Sequence, residues 1–167
     1  MTGARLAVIT GSIALALVAV VLLAVGLASG DNSAVYYYSS IVASVLAGFA
    51  LFDTIRELSA RGHKMTIQVM GYAMSMAVAV LQAADERVMS PNSFLLIHEI
   101  SHESENMSLS QHKDNVKHST MMQNKMFGLL EARSSMTARK LKAKAARTDW
   151  LIDSKEALSV GLVDRIS

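Results

Sequence analysis

Residues 71–80 read GYAMSMAVAV, an apolar run that follows the strand-like MTIQVM of residues 65–70 and carries one hydroxyl beyond that of Tyr72, on Ser75. Two roles fit a serine there. It is either a small residue that lets two helices approach, or a nucleophile at a strand-to-helix turn. In the second case the first N–H groups of the helix lack intrahelical partners and would stabilise negative charge developing beside the hydroxyl. His98 ends the strand-like SFLLIH of residues 93–98, so its ring would project from a sheet edge. An imidazole in that place is either structural or a proton acceptor near neutral pH. The chain has no cysteine, which leaves covalent chemistry to oxygen and nitrogen and removes thiolate metal sites and disulfides.

Such residues need a frame to hold them. After the linker SGDNSA (29–34), VYYYSSIV (35–42) is β-branched and aromatic and reads as a strand. VLAGFALFDTIRELSARG then has helical spacing and ends at Gly62, MTIQVM is a second strand, and SMAVAVLQAA a second, largely buried helix. ERVMSPNSFLLIHE gives two short strands around the turn at Pro91, the only proline. This alternation predicts an α/β layer with a mainly parallel sheet. Residues 108–146 read as one long helix and a shorter basic one, with Met121, Met122 and Met126 as a packed stripe. Asp153 and Glu156 form a capping pair for a short helix, and GLVDRIS returns to a short strand or tail.

The length of 167 residues suits one compact domain, divided here into a segment 1–34 and a domain 35–167. Residues 6–28 carry no charge over 23 positions, enough at about 1.5 Å per residue to cross a hydrocarbon core of roughly 30 Å. With Arg5 before it and Asp31 after it, an uncleaved anchor would place the N-terminus in the cytoplasm. A signal peptide cleaved before Ser29, with Gly26 and Ala28 as the small residues, and a buried or artefactual N-terminal extension are the alternatives. The protein is membrane-associated if the anchor holds and cytoplasmic otherwise. The net charge of +2 is too mild to argue for nucleic acid. The basic residues between 113 and 147 have a single aromatic among them, Phe127, and no interleaved series for base stacking, so they read as solvated helix faces.

Taken together, GYAMSMA around Ser75, RVMSPNSFLLIHE with His98, and DWLIDSKEALSVGLVDRI beginning at Asp149 resemble, in this order and at nearly this spacing, the ClpP family, the proteolytic subunits of the Clp protease. That family's blocks are G-x-A-x-S-M, a proline turn with a strand finishing I-H, and an Asp about a dozen residues before G-L-V-D. AGFALFDTI (47–55) also resembles the helix after the family's glycine-rich loop, and the resemblance runs from about residue 39 to 167. It implies a ClpP/crotonase-like α/β fold of layered sheet and helices, with the usual N-terminal layer replaced here by a hydrophobic helix.

The resemblance also implies roles: Ser75 as nucleophile, His98 as general base, Asp149 as the group that orients and stabilises the imidazolium, and Met76 as an oxyanion-hole donor. No metal or organic cofactor is implied, and His63, His102, His112 and His118 have no matching role. Where the family has S-P-G-G, this chain has Ser40, Ile41, Val42 and Ala43, so the second oxyanion donor falls to Ala43 in an altered loop. The implied function is an ATP-dependent serine endopeptidase acting on unfolded polypeptide, assembled as stacked homo-oligomeric rings and served by an AAA+ ATPase unfoldase. The alternatives are a catalytically impaired ring or binding subunit and, from the shared fold, acyl-CoA chemistry of the crotonase type.

Overall fold

The computed structural model describes residues 33–101 and 107–167. Residues 6–28 and His102 lie outside these. Among the described residues no helix is long and apolar enough to cross a membrane.

The first element corrects the sequence reading. Residues 35–42 do not form a strand; they belong to a continuous helix α1, Ser33–Ala60. No proline or glycine occurs between Gly30 and Gly48, so nothing in the backbone separates VYYYSSIV from the helical run that follows. β-branched and aromatic residues lower helix propensity only by tenths of a kcal/mol each, which the helical context overrides. The helix stops at Gly62, whose φ of +90° suits the left-handed position. There the His63 N–H reaches Leu58 O at 3.1 Å and the Gly62 N–H reaches Ser59 O at 2.9 Å, the paired bonds of a Schellman end.

Among the described residues six strands form two sheets. β1 (Thr66–Val69), β3 (Glu86–Met89) and β6 (Arg165–Ile166) run parallel in the order β1-β3-β6. β2 (Tyr72–Met74), β4 (Phe94–Ile97) and β5 (Trp150–Asp153) form the second, with β2 parallel and β5 antiparallel to β4. The helices are α2 (Met76–Leu81), α3 (Leu109–Glu131), α4 (Ala138–Ala145) and α5 (Ser154–Ser159). The chain passes from the first sheet to the second at Gly71 (φ +82°) and again at the turn before Phe94. The buried Ser93 hydroxyl ties the two passages together, accepting from the Gly71 N–H at 2.8 Å and donating to Val69 O at 3.1 Å. As expected, the Asp153 carboxylate caps α5 by accepting the Glu156 N–H at 2.8 Å. Of the methionines read as one stripe, Met126 is buried and Met122 packs at the core margin, whereas Met121 faces solvent.

Strand alternation divides the second sheet. Ala73, Leu95, Ile97, Trp150 and Ile152 turn to the core, and Leu95 and Ile152 are fully buried. The opposite face carries Tyr72, Met74, Phe94 and Leu151, each about half exposed although apolar.

Gly48 is the contact point between α1 and the short helix after Ser75. A Cβ built there would lie 2.1 Å from Met76 Cγ. That atom is close to the main chain of Met76, so it cannot swing away as a side-chain tip would. Gly48→Ala therefore costs about 1–3 kcal/mol of stability by overpacking and displaces α2. Thermal unfolding of the variant checks this; an unchanged midpoint would refute the contact.

Candidate active site

Ser75 sits between β2 and α2 with φ 55° and ψ −123°, a backbone conformation that side chains with a Cβ rarely adopt. Such a residue costs on the order of 1–3 kcal/mol unless its surroundings impose it. They do: the Ser75 N–H donates to Leu96 O at 2.8 Å, carrying the β2–β4 ladder one step beyond Met74, and its carbonyl accepts the Val78 N–H at 3.1 Å to start α2. The hydroxyl does not cap the helix. Met76 is the first residue of α2, so its N–H precedes the first intrahelical bond.

The register then brings the other two residues to the same end of this sheet. Met74 pairs with Leu96, and Ile97 with Trp150. One step beyond these pairs, His98 follows β4 and Asp149 precedes β5, while Ser75 follows β2. Neighbouring strands are about 4.8 Å apart, so Ser75, His98 and Asp149 are backbone neighbours at one end of the sheet. By alternation His98 and Asp149 share the exposed face with Met74 and Leu151. Ser75 and His98 are half-buried and Asp149 is exposed.

The imidazole has a defined partner. His98 Nδ1 is 2.6 Å from Glu99 O, and because a carbonyl only accepts, Nδ1 carries the proton. That tautomer leaves Nε2 with its lone pair, the form a base requires. Glu99 also reaches across the sheet end, its Oε2 accepting the Arg147 N–H at 3.2 Å. Arg147 is, among the described residues, the other non-glycine residue with positive φ, at 62°. Neither Glu99 contact has a local signal in the sequence.

Ala43, expected in a loop, lies inside α1. A helix commits its interior N–H groups to carbonyls four residues back, so Ile41, Val42 and Ala43 form no glycine-type loop in this structure. Among the described residues no group of His, Asp and Glu could hold a metal ion.

The model of the Clp protease family matches residues 7–167 of the chain, a span that reaches into the apolar segment which the sequence reading set apart. A curated relative, the ATP-dependent Clp protease proteolytic subunit 3 of Synechococcus sp. (strain CC9902), is 31% identical over 132 residues, covering 78% of this chain and 64% of that protein. The chain thus spans less than two thirds of that relative's length. A mixed α/β fold in which a strained serine, a histidine and an aspartate close one end of a sheet lies wholly within the matched span, and the chain belongs to the Clp protease family.

Proposed function

We propose that the chain is a serine endopeptidase that hydrolyses peptide bonds of unfolded polypeptide through Ser75, His98 and Asp149. The observation that carries this reading is the register that sets the three residues at adjacent ends of β2, β4 and β5. Ser75 Oγ attacks the scissile carbonyl carbon while its proton passes to His98 Nε2. The Met76 N–H donates to the resulting oxyanion, and Asp149 stabilises the imidazolium. Collapse breaks the C–N bond, the amine leaves with the proton from His98, and water releases the acyl group by the reverse sequence. Family membership supports stacked homo-oligomeric rings supplied by an AAA+ ATPase. Membrane contact through residues 6–28 remains part of the proposal on the strength of the uncharged run alone.

A second reading, a catalytically impaired ring subunit, is favoured by one observation: Ala43 stands in a helix, where its N–H cannot serve as the second oxyanion donor. A fluorophosphonate probe separates the two. The peptidase acquires one covalent adduct, mapped by mass to Ser75 and absent from Ser75→Ala. An intact, folded chain that takes no adduct is the impaired subunit.

A further inference from the structure

We infer that Glu99 is a positioning residue, whose carboxylate holds the segment entering β5 so that Asp149 stands opposite His98. The inference rests on the peptidase reading above. The β4–β5 ladder ends at the Ile97–Trp150 pair, one position short of His98 and Asp149. The pairing that would align these two groups is therefore not secured by the ladder itself. Just past its end, Glu99 Oε2 accepts the Arg147 N–H at 3.2 Å and ties the two strands together again. Arg147 needs that tie. Its φ of 62° crowds its Cβ against the following carbonyl, a conformation that persists only when something outside the residue imposes it. Only Thr148 separates Arg147 from Asp149, so a relaxation at 147 moves the carboxylate directly.

The same residue also sets the other partner. The Glu99 carbonyl accepts a hydrogen bond from His98 Nδ1–H at 2.6 Å and orients the ring. The main chain of Glu99 thus aims the imidazole while its side chain anchors the strand bearing the aspartate. Substitution at 99 leaves the carbonyl in place and isolates the side-chain arm. The Arg147 N–H requires an acceptor, not a charge, and the amide oxygen of glutamine supplies one.

The test compares the parent with Glu99→Ala and Glu99→Gln by two readouts on the full chain: hydrogen exchange of the Arg147 amide, and the rate of fluorophosphonate labelling at Ser75. In Glu99→Ala the amide should exchange at least about tenfold faster and labelling slow by about 10–100-fold, the scale of a misplacement near 1 Å. Glu99→Gln should restore most of both. Unchanged exchange in Glu99→Ala overturns the inference, as does faster exchange with unchanged labelling or a Gln variant as impaired as Ala. If the parent shows no Ser75-dependent labelling, the peptidase reading falls and the positioning role falls with it. The exchange readout then still decides whether Glu99 holds Arg147.

Discussion

Ser75→Ala lowers peptide hydrolysis by about 10⁴–10⁶-fold while the chain stays folded. On the proposed mechanism the loss is large because the hydroxyl oxygen would bond to the substrate, and neither His98 nor the Met76 N–H could replace it. A peptidase assay with thermal unfolding of the same samples checks both halves, and equal turnover in the mutant and the parent would end the assignment. A companion variant separates the hydroxyl from the backbone that presents it. Ser75→Gly also abolishes hydrolysis, but glycine adopts φ 55° and ψ −123° without a Cβ clash. Relief of roughly 1–3 kcal/mol of strain outweighs the roughly 0.4–1 kcal/mol that glycine's freer unfolded state costs. The Gly variant should therefore melt above the Ala variant. The reverse order would mean that the strain at Ser75 carries no energy.

Arg87→Ala should destabilise the fold by about 3–5 kcal/mol, the largest effect expected away from the site. The Arg87 side chain is buried, and its guanidinium donates to both Asp164 carboxylate oxygens, to Gln82 Oε1, to Arg133 O at 2.8 Å and to Gly161 O at 2.9 Å. Truncation removes this donor from Gln82 Oε1, Arg133 O and Gly161 O beside a cavity, while Asp164 keeps only the Arg87 backbone N–H at 2.7 Å. Arg87→Met fills more of the volume and should lose less. The contact also confers a pH dependence. Hydrogen bonds from the Arg87 side chain, and then from its N–H and charge, hold the Asp164 carboxyl below its ordinary value of 3.8. A carboxyl depressed in the folded state contributes stability above its ordinary value and loses it as pH falls through the folded one. Denaturant midpoints of the parent should thus drop as pH falls below about 4, with a shallower slope in Arg87→Met. Parallel slopes would exclude the Arg87–Asp164 pair as the source.

Much of the frame was legible because its signals are local. MTIQVM and the two arms around Pro91 appear as strands, the basic stretch appears as α3 and α4, and Asp153 caps α5. The strand expected at 35–42 failed because composition was set against continuity, and a run with no glycine or proline stayed helical. β2 is three residues long and β5 four, too short for a period to emerge from WLID next to a helix cap. At the site, Ser75, His98 and Asp149 were legible only as blocks in a fixed order, since no spacing in one dimension states that 74 pairs with 96 and 97 with 150. The Glu99 tie and the Arg87 contacts left no trace at all. Each depends on residues dozens of positions away, and a lone glutamate or arginine in a strand-like run predicts neither.

The span of the Arg87 contacts bears on how the fold is reached. Its acceptors Arg133, Gly161 and Asp164 lie 46, 74 and 77 positions further along the chain. During synthesis β1 and β3 emerge well before them, and the arginine on β3 must stay hydrated until residues 161–164 arrive. Loop closure over such distances is paid before the contacts give anything back, which slows the last step of folding. A nascent or truncated chain ending before Gly161 would have to bury a cation without its carboxylate partner or leave β3 undocked. β3 is the middle strand of its sheet, so such a chain would expose strand edges that the finished fold covers, the surface on which chaperones and proteases act.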